Sequence, residues 1–228
     1  TGTTRRTVER IARGIASRLN LPAESVDFSR PAVRQETLGF GEKDLVVFGT
    51  PVYAGRVPNV LLPFLRERIV GGGALAVPVV LFGNRNYDDA LIELRNILAA
   101  DGMHPIAAGA FVGEHSFSRV LGANRPNAED EALMDEFAAR VAALAAGLDA
   151  TPVKSVAVRG QEPLRPYYTP RDRAGNPINI LKVKPKTDMS RCGGCGLCAN
   201  LCPMGSIDPA DVAAVRGICI KCCACVKG

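Results

Sequence analysis

All eight cysteines of this 228-residue chain lie between Cys192 and Cys225, and their spacing limits the possible folds more than any other feature. Seven of them form two similar runs. The first is Cys192-x2-Cys195-x2-Cys198-x3-Cys202-Pro203, and the second is Cys219-x2-Cys222-x2-Cys225. The eighth, Cys223, breaks the pattern. A disulfide framework belongs to small secreted modules. This chain is too long for one, and its opening Thr1-Gly2-Thr3-Thr4-Arg5-Arg6 has no apolar signal region. Structural zinc takes four ligands in pairs separated by a loop. It does not require the third cysteine that follows each pair here.

The chemistry that does require it is the cubane 4Fe-4S cluster. Three thiolates on one tight loop take three irons, and the cysteine before proline serves the neighbouring cluster. Gly193, Gly194 and Gly196 let the first loop approach the inorganic sulfides. The spacing therefore assigns Cys202, Cys219, Cys222 and Cys225 to one cluster. Cys192, Cys195 and Cys198 go to a second, whose fourth ligand is expected one position past Gly228. Cys223 is read as a small buried hydrophobe, not a ligand.

The clusters also bear on the charge, which is +5 overall but uneven. Residues 1–150 carry 16 Lys+Arg against 18 Asp+Glu, whereas residues 151–228 carry 12 against 5. A basic tail is one mark of nucleic-acid binding. Each cubane with four thiolates is a dianion, however, so two of them offset most of the excess and no nucleic acid is expected. Lys182, Lys184 and Lys186 offer a docking face for a redox partner protein, although a solvated charged face is the commoner fate of such a run. No apolar run reaches the ~18 residues of a membrane span. No membrane insertion is expected, and a cytoplasmic location is.

Residues 1–150 read as alternating helices and strands, the pattern of a doubly wound parallel sheet. Val8, Ile11, Ala12, Ile15, Ala16 and Leu19 make one helix face. Leu45–Phe48, Val79–Phe82 and Ala107–Val112 are apolar runs suited to buried parallel strands, and Ser25–Phe28 is a weaker strand candidate. Pro78 is placed at its strand's first residue. A helix is expected from Pro58 to Ile69, one capped by Asp88, and one capped by Asn127 with Leu133, Phe137, Val141, Leu144 and Leu148 on its inner face. Gly71-Gly72-Gly73 reads as a turn, not a phosphate loop. Residues 151–187 hold six prolines and Tyr167-Tyr168, an extended connector expected to drape over the first domain. Residues 188–228 form the cysteine domain.

In open parallel sheets, ligands sit beyond the carboxyl ends of the strands. Two such loops, Gly49 to Pro58 and Gly83 to Asp88, each carry one tyrosine, Tyr53 and Tyr87. Ahead of them Thr1-Gly2-Thr3-Thr4 opens the first helix, where amides and hydroxyls make an anion site. His115, beyond the last strand, is either a proton relay or, more commonly, a loop-bonded histidine. No hydrolase triad or zinc-protease motif occurs.

These loops resemble those of flavodoxins: TGTT its phosphate loop, GTPVYAGRVP and FGNRNYDDALIEL its two ring-binding loops. RPYYTPRDRAGNP, KVKPKT and CGGCGLCANLCPMGSID resemble the flavodoxin–ferredoxin fusion proteins of anaerobic microbes. The resemblance implies FMN. Its phosphate would contact Thr1, Gly2, Thr3 and Thr4. Its ring would lie among Thr50, Pro51, Val52, Tyr53, Ala54, Gly55, Asn84, Arg85, Asn86 and Tyr87. Two departures stand out: Thr3 replaces the usual Asn, and Arg5-Arg6 follow at once. The first strand of such a sheet would precede Thr1. The implied activity is electron transfer between two 4Fe-4S clusters and FMN. The alternative is a two-cluster ferredoxin whose flavodoxin-like domain lacks FMN and docks a partner.

Overall fold

The computed structural model describes residues 2–148, 150, 154–180 and 183–227. Two compact units emerge. The larger comprises Thr3–Val26 and Thr37–Tyr167, and the smaller joins Asp27–Glu36 to the residues from Tyr168 onward. Along the larger unit run α1 (Thr3–Leu19), β1 (Leu38–Gly39), β2 (Leu45–Pro51), α2 (Leu62–Glu67), β3 (Ile69–Val70), β4 (Leu75–Phe82), α3 (Ala90–Ala100), β5 (His104–Pro105), β6 (Gly109–Val112) and α4 (Ala128–Ala146). The smaller unit adds α5 (Leu197–Asn200) and α6 (Ala224–Lys227). Among the described residues no helix is long and apolar enough to cross a membrane.

Every strand pair is parallel. β2 lies along β4 from Leu45↔Leu75 to Pro51↔Leu81. The other edge of β4 takes first β5, with Leu75↔His104, and then β6, with Val79↔Gly109. β1 and β3 form a separate two-stranded piece. The register across β5 and β6 advances one residue more than β4 does, which marks a bulge over 106–108. Pro78 explains its place. It lies inside β4, not at its start, opposite Phe48 of β2. Ile106 donates to the Ala76 carbonyl at 2.9 Å. The next rung on that side would need an N–H at Pro78, which proline lacks. The central strand thus tolerates proline because the neighbouring ladder breaks at the same level.

Both faces of β4 are covered. Val77 and Val79 join Ile11 and Ile15 of α1 with Met134, Ala138, Val141 and Ala142 of α4 in one core. Alternation along the strand turns the buried Ala76 and Val80 to the opposite face, where α3 packs with Leu91, Leu94 and Leu98. The inner stripe of α4 differs from the one expected: Leu133 and Leu144 are exposed. Close approach of the two helices selects small residues instead, since a Cβ at Gly14 would fall 2.9 Å from that of Ala138. Phe137 is only partly buried, stacked edge-on to Phe111. Arg10 bridges the same helix pair through Glu131 and Asp135.

Other expectations divide. Asn127 caps α4 in a reciprocal capping box with Asp130. Ser25–Phe28 forms no strand, and residues 27–36 belong to the smaller unit. The helix after Pro58 is a single 3-10 turn followed by the six-residue α2, and Ile69 is already strand. Asp89, not Asp88, stands at the cap of α3 and makes no side-chain cap bond.

Asp89 has other work. Its fully buried carboxylate accepts the backbone N–H of Gln161 (3.0 Å) and of Arg165 (2.8 Å), and pairs with the Arg165 guanidinium. One turn on, buried Glu93 accepts from Arg56 at 2.6 and 2.7 Å and from the Val57 N–H at 2.9 Å. Arg56 lies over the Tyr167 ring, whose hydroxyl donates to the Val57 carbonyl at 2.8 Å. The connector through Tyr167 is thereby fastened onto the sheet unit. Tyr168, the other member of the pair, is exposed.

Two carboxylates give opposite pH responses. The Arg165 guanidinium and two amides pull Asp89 down from 3.8 to about 2, so its contribution is complete above 3.8 and lost as pH falls towards 2. Burial raises Asp101 from 3.8 to about 6, and one of its oxygens has no partner. Between those values the folded state holds a proton that the unfolded chain has released, so stability falls as pH rises through the window. Asp101→Asn is expected to abolish this fall, measured as melting temperature from pH 4 to 7. Arg165→Ala removes the guanidinium that pairs with buried Asp89 and is expected to lower stability in chemical unfolding at pH 7.

Candidate iron–sulfur centre and strand-end loops

The smaller unit is built on a short antiparallel turn closed by an Ile207↔Val215 bridge, with Asp208 N–H donating to Ala214 at 3.0 Å. Arg216 pairs with Asp208 across it. Lys184 Nζ and Thr187 Oγ1 donate to the Val215 and Val212 carbonyls and strap residues 183–187 alongside. The cysteine loops leave from either end of this turn.

The two loops share one backbone. Set Cys192 against Cys219, and Gly194 matches Lys221 while Gly196 matches Cys223. All four are left-handed, at φ 70°, 59°, 69° and 57°. The third cysteine of each run then enters a short helix, Cys198 in α5 and Cys225 in α6, and these two helices pack together. The left-handed region carries little cost for glycine but roughly 1 kcal/mol or more for other residues. Cys223 thus occupies a glycine position of the repeat, which explains why it interrupts the cysteine spacing.

Cys202, Cys219, Cys222 and Cys225, the four expected to share a cluster, line one cavity together with Cys223. Its other walls are Pro185, Pro203, Met204, Ser206, Ile207, Val215, Ile218 and Ile220. Burial raises the Cys222 and Cys225 thiols first. Neighbouring cysteines raise them further, Cys202 and Cys219 acting on Cys222, and Cys222, Cys219 and Cys202 on Cys225. The Ser206 N–H donates to Cys202 Sγ at 3.4 Å, and buried Ser206 Oγ donates to the Ile218 carbonyl at 2.6 Å. Cys192 and Cys198 are half-buried and Cys195 is exposed, on the Gly-rich loop opened by an Asp188–Ser190 turn. Among the described residues no three His, Cys, Asp or Glu side chains converge on a single-ion point. Cubane ligands each bind a different iron and do not need one. A pocket of soft thiols inside apolar walls fits that group.

The strand-end loops lie together in the larger unit. Asp89 N–H donates to the Gly55 carbonyl at 3.0 Å, and Asp88 presses on Gly55 so closely that a Cβ there would meet its carboxylate at 2.6 Å. Ala54 (φ 51°), Gly55 (φ 80°) and Asn84 (φ 56°) are left-handed. Val52 N–H continues the ladder to the Leu81 carbonyl, and Tyr53 closes a tight turn with Arg56. Pro51 ends β2, and Thr50 just before it keeps a fully buried hydroxyl without a partner. Arg85 is exposed and Asn86 accepts from the Asp88 N–H at 3.1 Å. Tyr87 is engaged: its ring meets Phe82 edge-on at 5.4 Å and Arg159 lies over it at 5.6 Å. Thr3 and Thr4 begin α1, with the Thr3 methyl near Gly113 beyond β6 and the Thr4 methyl near Gly49 in β2. Gly2 is left-handed, and Thr1 and Lys182 lie outside the described residues. His115 accepts the Phe117 N–H at Nδ1, the loop-bonded arrangement.

A family model described as the 4Fe-4S binding domain matches residues 185–208. No curated protein is matched by the chain. The chain therefore carries a ferredoxin-type 4Fe-4S motif, the hallmark of iron–sulfur electron transfer, beside an α/β region of parallel strands.

The repeat separates two roles for Cys223. Cys223→Gly is expected to keep the iron content and gain about 1 kcal/mol in unfolding, whereas Cys223→Val loses at least as much. Iron lost from the glycine variant would make Cys223 a ligand.

Proposed function

We propose that the chain is an electron-transfer protein carrying two 4Fe-4S clusters and an FMN in a flavodoxin-like domain. The observation that carries the proposal is the gathering of Cys202, Cys219, Cys222 and Cys225 on one apolar pocket, the set that the two-cluster spacing requires. When bound, the clusters exchange single electrons, and a flavin takes one or two. Cys192, Cys195 and Cys198 are the ligands of the other cluster on this reading. The Ile207, Val215, Ile218 and Ile220 side chains line the pocket around these sulfurs. Ser206 orients Cys202 and donates to it.

For FMN the support is one of place. The start of α1 offers Thr3 and Thr4 at the carboxyl side of the sheet, and the left-handed loops present backbone amides beside Tyr53. The partnerless Thr50 hydroxyl at the end of β2 is a further polar group in that region. One observation favours the alternative, a cluster protein whose flavodoxin-like domain is without flavin and docks a redox partner. Tyr87 is already covered by Arg159.

Iron and flavin content of the anaerobically reconstituted full-length protein decides the matter. About eight irons and one FMN per chain are expected from two four-iron clusters. Eight irons with no flavin affinity selects the docking reading, and four or fewer removes the second cluster. Cys219→Ser is expected to lose about four irons and leave the rest.

A further inference from the structure

We infer that Arg34 sets the reduction potential of the cluster held by Cys202, Cys219, Cys222 and Cys225, an inference that rests on the ligand reading above. Residues 27–36 are remote in sequence from the cysteines but belong to the same compact unit. The Arg34 guanidinium donates to three backbone carbonyls, Phe28 at 2.9 Å, Ser29 at 2.7 Å and Pro203 at 2.6 Å. Among the described residues no carboxylate lies within ion-pair distance of it, and the side chain is half-buried. Guanidinium stays protonated in proteins, so a full positive charge remains here without a local counterion.

Its position gives that charge a use. The Pro203 carbonyl follows Cys202 directly, and three residues further on the Ser206 N–H reaches Cys202 Sγ. Arg34 therefore clamps the turn that presents this thiolate and fixes a cation on the residue that follows it. One-electron reduction takes a cubane with four thiolates from dianion to trianion. A half-buried cation stabilises the trianion more than the dianion, because each added charge interacts with it across a medium of lower polarity than water. A neutral donor would suffice to hold a carbonyl. An unpaired cation does more, raising the potential.

The test is a viologen-mediated dithionite titration of the full reconstituted chain, followed by electron paramagnetic resonance. The signal of interest is the one absent from Cys219→Ser. If wild type shows no second signal to lose, the ligand reading fails and Arg34 is not at issue. Given that signal, Arg34→Gln is expected to lower the equilibrium constant for its reduction about tenfold, about 59 mV for one electron. Arg34→Lys restores most of the shift. Ser29→Asp sets a carboxylate against the guanidinium and lowers the potential in the same direction with the arginine clamp intact, so it answers the question even where Arg34→Gln fails to load. An unchanged potential in a fully loaded Arg34→Gln or Ser29→Asp overturns the inference, as does a lysine variant displaced as far as the glutamine one.

Discussion

Bringing four thiolates into one apolar pocket is the constraint on which the smaller unit depends. Burial, and then the neighbouring cysteines, push the Cys222 and Cys225 thiols up. Among the described residues the pocket lining carries no charged side chain. The apolar residues buried in that unit, among those described, are Ile207, Val212 and Ala224. A core of that size rarely holds a fold without a staple. Iron binding supplies one: ligand binding that exists only in the folded state is itself folding free energy. On the proposed reading the clusters are the core, and the Ile207↔Val215 turn is the frame that spaces their ligands.

The sheet unit obeys a different rule, that of buried carboxylates needing partners. Asp89 and Glu93, both in or beside the first turn of α3, are inaccessible to solvent and would be intolerable alone. Arg165, Arg56 and three backbone N–H groups complete them. The consequence is architectural. The proline-rich segment through Tyr167 cannot leave the sheet without exposing those charges to an unpaired interior, so it behaves as part of that unit and not as a tether.

What the sequence disclosed, and what it hid, follows the range of each interaction. Spacing within a loop is local, so the ferredoxin-type cysteine motif was legible, as was the Asn127 cap. Pro78 was misplaced because its tolerance depends on a bulge in another strand, some thirty residues away. The inner face of α4 follows its packing partner and not apolar size, because the close approach of Gly14 favours alanine. Arg34 was invisible for the same reason. Its partner Pro203 lies 169 residues along the chain, and no periodicity links a loop arginine to a distant carbonyl.

The internal repeat has a consequence for electron flow on the two-cluster reading. The two loops have one backbone but unlike surroundings. The first is Gly-rich with Cys195 exposed, whereas the second replaces both left-handed glycines with Lys221 and Cys223 and sits against Ile218 and Ile220. Accepting the loss of two glycines at φ near 60° requires the fold to over-determine those positions. The pocket on this side is lined by Ile207, Val215 and Ile220. Burial disfavours the more highly charged reduced state, so the walls alone would make the second site the poorer acceptor. The Ser206 N–H on Cys202 acts the other way, as does, on the inference above, the Arg34 charge held at Pro203. The two sites can therefore be brought close in potential by opposed effects of burial and charge, a balance that two identical glycine loops would not need and that allows an electron to pass between them in either direction.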